Sequence, residues 1–265
     1  MDLQIRNKVA LITGATGGMG FATAKILAAE GVKLVLSDLK IDRLEKDARE
    51  LPTDVLCVAA DVTDQAAVDT LARQGREKFG AIDIVVHTSG ITGAKGDPLE
   101  VTDADYLEAW QIDFMSAVRM ARATFPAMRE KGWGRFVCIT SENAVQPYWE
   151  EATYNTAKAA LAAFVKNLSY EEAKHGILCN TVSPAFIETD MTDGMMEKRA
   201  KEMGVSFDEA VASFLDEERP GIALKRRGRV EEVAAAIALV VSERGSFING
   251  ANLRVDGGSV QAVQN

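Results

Sequence analysis

Histidine and cysteine are scarce in this 265-residue chain: His87 and His175 are its two imidazoles, and Cys57, Cys138 and Cys179 its three thiols. The cysteines are far apart, each in or beside an apolar run, and no Cys-x-x-Cys pair occurs. A zinc site draws on clustered His and Cys ligands, so no metal centre is expected. Reduced, buried thiols in a reducing compartment fit instead. Positive charge is also in deficit, with 30 Lys and Arg against 39 Asp and Glu and a net charge of −9. Such a chain repels phosphate backbones and anionic lipid, which argues against nucleic-acid and membrane partners. Long apolar runs are missing too. Residues 1–8 lack the hydrophobic core of a signal peptide, and no later stretch is long enough to span a bilayer. A cytoplasmic protein is expected.

What is present is a regular alternation. At 47% hydrophobic, the chain can bury the core of an α/β domain. Apolar strand patterns at 8–13, 32–37, 54–59, 83–87, 135–140, 177–182 and 252–255 alternate with helical patterns at 21–30, 41–50, 64–79, 103–130, 152–174 and 230–242. Pro126 is expected to kink the long fourth helix. The Met-rich, charged segment 185–226 reads as helical pieces. Apolar strands alternating with helices predict a doubly wound parallel sheet with helices on both faces. With no repeat, linker or low-complexity tract, residues 1–265 read as one domain, carrying 185–226 as a substrate-loop segment.

Three groups of residues carry chemistry. Tyr154 and Lys158 stand four apart in a helical pattern, so their side chains share one face. A phenol titrates near pH ~10, and a neighbouring ammonium favours its anion. Ser141 follows the apolar run Phe136–Ile139, where a hydroxyl could hold a substrate oxygen against the phenol. The second group is the turn Thr13-Gly14-x-x-x-Gly18-x-Gly20, after a strand and opening a helix. Glycines there let backbone approach a phosphate, and the helix start supplies free N–H groups. Third is Asp38, at a strand end 18 residues past Gly20, placed to accept from both ribose hydroxyls and to repel a 2′-phosphate. Asp61-Val62 ends the next strand, where it could meet an adenine edge. Helix capping is the alternative role for both aspartates.

With these motifs in order, the chain resembles the short-chain dehydrogenase/reductase family, in its branch of about 250 residues. Further matches are Asn180-x-x-x-Pro184, Thr189, and Asn249-Gly250 through Asp256-Gly-Gly258. The resemblance implies NAD(P)-dependent hydride transfer between a secondary alcohol and its ketone, and the clash of Asp38 with a 2′-phosphate points to NAD. Tyr154 would be the acid-base, Lys158 its partner at the nicotinamide ribose, and Ser141 the holder of the substrate oxygen. Gly14, Thr16, Gly18, Met19, Gly20, Asp38, Asp61, Val62, Gly90, Pro184, Ile187 and Thr189 would bind the dinucleotide along with Tyr154 and Lys158. A homotetramer paired through the 103–130 and 152–174 helices is also implied.

The chain departs from the family pattern in three places. The Asn-Asn-Ala-Gly turn is here His87-Thr88-Ser89-Gly90, with His87 expected to bond backbone at the strand end. Ala185 replaces a glycine after Pro184. Asp113 stands where the family has a catalytic Asn that holds a relay water to the lysine; an ionised Asp113 would keep Lys158 charged while raising the phenol's pKa. The substrate is expected against Tyr148, Trp149, Phe186, Met191, Met195, Met196, Phe207 and Phe214, an adaptable apolar wall. Glu142, Glu150 and Glu151 disfavour a strongly anionic substrate. An uncharged, fairly hydrophobic or cyclic alcohol follows. The rival reading is a dinucleotide sensor, or interaction protein, with impaired catalysis.

Overall fold

Seven strands lie parallel in one sheet, in the order β3-β2-β1-β4-β5-β6-β7. They are β1 (Val9–Thr13), β2 (Lys33–Asp38), β3 (Val55–Ala59), β4 (Ile84–His87), β5 (Gly134–Ile139), β6 (Ile177–Pro184) and β7 (Asn252–Val255). This computed structural model describes residues 2–263; Met1, Gln264 and Asn265, the ends of the expected 1–265 domain, lie outside the described residues. β1 shows why the sheet is covered on both faces. Ala10 and Ile12 enter one core with Leu27 and Ile237, whereas Val9 and Leu11 enter the other with Leu71, Met120 and Leu161. The first core is closed by α1 (Gly18–Ala29) and α9 (Val230–Val241), the second by α3 (Gln65–Phe79), α5 (Ser116–Lys131) and α6 (Ala152–Glu172).

After β3 the chain returns to the other side of β1, so β1 and β4 flank the point where strand order reverses. A crevice opens there at the carboxyl ends of the strands. α2 (Ile41–Ala48) and α4 (Asp103–Ala109) complete the helices around the sheet. Residues 185–226 fold as a lid of α7 (Asp190–Met203) and α8 (Phe207–Glu217), as their pattern suggests. Phe186, Met196, Phe214, Leu215 and Ile222 give the lid a small core of its own. No helix among the described residues is long and apolar enough to cross a membrane.

Two differences from expectation exceed a residue or two at an element's end. α1 begins at Gly18 rather than Phe21, because the last two glycines of the turn already take helical positions. The expected continuous helix over 103–130 is broken at Trp110–Met115 by a π-helical turn, and α5 runs on through Pro126 to Lys131. Pro126 and Arg122, the residue whose carbonyl it leaves unbonded, both face solvent, which makes the proline tolerable. The π turn carries Asp113, fully buried.

Candidate active site

Two adjoining cavities open over the β1–β4 crevice. The first, of about 550 Å³, is floored by the glycine turn. Gly14 has φ +63°, and a Cβ on it would stand 2.8 Å from Ser89 N. A Cβ on Gly20 would stand 2.5 Å from Gly14 O. Both glycines are therefore obligatory to the turn. α1 is capped by Gly17 with no side-chain bond and carries no acid in its first turn. Its N-terminal N–H groups are thus available to an anion, as a pyrophosphate requires. The turn fits a dinucleotide.

Asp38 borders this cleft at the end of β2. Its Oδ2 accepts from Thr16 N–H at 3.1 Å and from the Thr16 hydroxyl at 2.6 Å, fixing the turn to β2. The capping alternatives fall away: Lys40 precedes α2 and Asp64 caps α3. Asp61 accepts from the hydroxyl and N–H of Thr63 at 2.7 and 2.8 Å, and these bonds hold its carboxyl below the usual range. Arg43, which belongs to none of the sequence motifs, lines the same cleft and pairs with Asp190 of the lid at 3.0 Å. Its place five residues past Asp38, in the first turn of the following helix, was the available signal.

The second cavity, of about 470 Å³, gathers Ser141, Tyr154 and Lys158. Each predicted cofactor residue borders one cavity or the other: Gly14, Thr16, Gly18, Gly20, Asp38, Asp61 and Val62 the first, Tyr154, Lys158, Pro184 and Ile187 the second, and Met19, Gly90 and Thr189 both. Thr189 also caps α7, its hydroxyl accepting from Thr192 N–H at 3.3 Å. Lys158 Nζ lies 5.4 Å from the Tyr154 ring centroid and donates to Ile139 O at 3.1 Å. Its other partner is Asp113 Oδ1 at 3.1 Å, direct and with no room for a relay water between them. Asp113 borders neither cavity. It lies beneath Gly90, where a Cβ would stand 2.6 Å from Asp113 Oδ1 and 3.1 Å from Lys158 Nζ.

Burial raises the Tyr154 phenol's pKa; Lys158 opposes that shift, and Asp113 adds to it. Burial alone would lower Lys158, but Asp113 and Tyr154 outweigh it and the ammonium is held up. Burial also raises Asp113, against the pull of Lys158.

The His87-Thr-Ser-Gly90 turn replaces amide contacts with hydroxyls. Ser116 donates to Ile112 O at 2.5 Å, so it can only accept from His87 Nε2 at 2.7 Å. His87 Nδ1 is then the acceptor for the Thr13 hydroxyl at 2.8 Å. The expected backbone bond is thus replaced by two side-chain bonds, because β1 and the start of α5 both present hydroxyls to the ring. Burial pushes His87 down to about 3, leaving it neutral. Thr88 donates to Thr13 O at 2.7 Å, tying β4 to β1.

The walls of the second cavity are more polar than anticipated. Phe186, Met191, Met195 and Phe214 form its apolar side. Trp149 is 69% exposed, Met196 is buried in the lid core, and Tyr148 and Phe207 stand outside the lining. The same lining also holds Lys95, Glu142, Asn143, Glu151 and Arg219. Arg219 Nη2 is 2.9 Å from both Glu151 oxygens, and its Nε is 3.3 Å from Glu142 Oε1. Lys95 Nζ adds a 2.7 Å bond to Glu151. Burial would raise Glu151, but Arg219, Lys95 and Asn143 outweigh it and hold the carboxylate low. The carboxylates expected to repel anions are therefore neutralised, and Glu150 is exposed outside the cavity. Asn143 donates to Glu151 Oε2 at 2.7 Å and to Asn155 at 2.8 Å, which turns its Oδ1 toward Ser141, whose hydroxyl it accepts at 2.9 Å. Among the described residues, no cluster of His, Cys, Asp and Glu suits a metal ion.

A family model described as enoyl-(acyl carrier protein) reductase matches residues 14–260. The 3-oxoacyl-(acyl-carrier-protein) reductase of Escherichia coli is 31% identical over 97% of this chain and 98% of its own length. The meso-2,3-butanediol dehydrogenase of Serratia marcescens is 33% identical, over 97% of this chain and 96% of that protein. Among solved structures, L-sorbose reductase from Gluconobacter frateurii, complexed with NADPH and L-sorbose, superposes with a TM-score of 0.94 at 36% identity, covering 99% of this chain and 100% of that one. Levodione reductase follows with a TM-score of 0.89 at 30% identity, covering 96% and 98%.

Proposed function

The chain belongs to the short-chain dehydrogenase/reductase family, and from that premise we propose that it interconverts a secondary alcohol and its ketone with NAD as hydride carrier. The observation that carries the reading is the convergence of Ser141, Tyr154 and Lys158 on one cavity that opens into the glycine-floored cleft. The dinucleotide supplies or takes the hydride. Tyr154 exchanges the proton of the substrate oxygen, Lys158 holds positive charge beside it, and Ser141 orients that oxygen once its hydroxyl turns from Asn143. Residues 1–265 act as one catalytic unit under the 185–226 lid.

NAD is favoured over NADP by the Asp38 carboxylate at the ribose end of the cleft. Arg43, on the same wall, supplies the opposite pull, and the NADPH complex of the sorbose reductase shows what that relative accepts. For the substrate, the polar wall of Lys95, Asn143 and Arg219 favours a small, uncharged, polyhydroxylated alcohol over the hydrophobic one suggested by the sequence. The sorbose and butanediol named for two relatives support the same class.

A homotetramer is part of this reading. Ala159 and Ala163 face out of α6, and a groove between α5 and α6 exposes parts of Val118, Phe164 and Leu168, a surface suited to a second copy. A cytoplasmic location follows from composition.

The test is nicotinamide absorbance with NAD and NADP over a panel of polyols, ketoses and simple alcohols. Turnover of a polyol or ketose is expected, and Tyr154→Phe should lower kcat/KM by about 10²–10⁴-fold. Dinucleotide binding without turnover of any panel member would instead favour the sensor reading.

A further inference from the structure

Asp113 Oδ1 receives two donors, Lys158 Nζ and the Ile91 N–H, each at 3.1 Å. Its Oδ2 is buried with no hydrogen-bond partner. Both donors fall on one oxygen and one of them is an ammonium, an arrangement that calls for the acceptor-only carboxylate. The other titratable groups facing the pair add no net charge. His87 of β4 is neutral, burial keeps the Cys138 thiol of β5 protonated, and Glu151, ahead of α6, is neutralised by Arg219 and Lys95. Lys158 and Asp113 therefore form a buried pair of zero net charge next to Tyr154.

We propose that Asp113 is a positioning residue that pins Lys158 by direct ion pairing and keeps the Tyr154–Lys158 couple protonated to higher pH than Lys158 alone would. The inference rests on the catalytic reading above for its consequence in turnover, and on geometry alone for its consequence in titration. The sign is read on the phenol, with Lys158 still an ammonium beside it. Removing a buried negative charge makes the phenol's proton easier to lose. The Asn that conserves shape, Asp113→Asn, should then shift the couple downward in pH. The π turn is the device that brings this carboxylate under Gly90, since it carries Asp113 within Trp110–Met115 and π turns recur at functional sites.

The experiment records phenolate ultraviolet absorbance against pH for wild type and Asp113→Asn, each with its Tyr154→Phe counterpart subtracted, beside pH profiles of kcat/KM for alcohol oxidation. The expected result is a downward move of both the phenolate curve and the alkaline limb by about one pH unit, a tenfold rise in phenolate at fixed pH. Superimposable phenolate curves, whatever happens to the rate, would overturn the proposal, because a merely structural residue lowers activity without moving the titration. An upward move would also overturn it and mark Asp113 as a neutral donor. Leaving Lys158 buried without its partner endangers folding, so the double variant Asp113→Asn/Lys158→Met is the second arm. With both charges gone its Tyr154 titration should lie above that of Asp113→Asn, because the phenolate loses its ammonium neighbour, and a curve coinciding with Asp113→Asn would overturn the coupling. If no alcohol is turned over, the catalytic reading fails while the titration still decides the pairing.

Discussion

Arg219 Nη2 stands 2.9 Å from both oxygens of Glu151, joining the end of the lid to the segment that leads into the Tyr154 helix. The guanidinium also stacks on Tyr148, 3.6 Å from the ring centroid. Through Glu151 and Asn143 this contact reaches the Ser141 hydroxyl. Arg219→Met should therefore destabilise the fold by about 3 kcal/mol, the usual scale for a buried pair broken on one side. It should also raise KM more than it lowers kcat, because the lid loses its hold on the substrate wall. Thermal unfolding and steady-state kinetics on one preparation check both, and an unchanged KM would remove Arg219 from substrate closure.

Glu151 makes a prediction for acid. Its folded pKa is lowered against burial by Arg219, Lys95 and Asn143. A depressed carboxylate contributes stability that is present above its unfolded pKa and lost as pH falls through the folded one. Denaturant unfolding from neutral pH down to below the ordinary carboxylate range should show Glu151→Gln losing less stability on acidification than wild type. Parallel curves would mean that Glu151 is not a source of the acid sensitivity.

On the proposed reading, coenzyme choice turns on Asp38 and Arg43. Asp38→Ser removes the like charge facing a 2′-phosphate and should improve NADP over NAD in kcat/KM by about tenfold or more, the scale of one lost charge contact. Thr16 would lose its anchor as well, so some loss with NAD is expected. Arg43→Ala should move the ratio the other way. Wild type preferring NADP outright would reverse the assignment.

Gly90→Ala tests the floor of the site. The added methyl would meet Asp113 Oδ1 at 2.6 Å and Lys158 Nζ at 3.1 Å, so the ion pair must part or the turn must move. A loss of activity of about tenfold or more, with dinucleotide affinity less affected, is expected from misplacing Lys158. Wild-type kinetics in this variant would show that the turn absorbs the change.

Local patterns made much of this legible in advance. β1, β4 and β5 are fully buried and, apart from Thr13, His87 and Arg135, carry no polar side chain; a parallel sheet is what such runs build. The glycine turn and the Tyr154–Lys158 spacing are also local, since one turn or one helix face contains each. The polar wall was not legible, because Lys95, Asn143, Glu151 and Arg219 converge from separate loops and no spacing connects them. The same holds for His87, whose partners come from β1 and the first residue of α5. The chemistry of Trp149 suits a substrate wall, yet its short 3-10 turn points it at solvent. The π turn itself has no strong signal in the residues Trp110–Met115, which would serve equally well in an α-helix.

The lid's separate core has a further consequence. Phe186, Met196, Phe214, Leu215 and Ile222 bury one another rather than the faces of the sheet, so α7 and α8 form a cooperative unit with its own, smaller unfolding free energy. Their backbone amides should exchange with deuterium well before those of β1 and β4. A unit that carries its own packing can also be recast without repacking the sheet. New substrate ranges are then reachable by changes confined to some forty residues, while the strands that hold the dinucleotide keep their register.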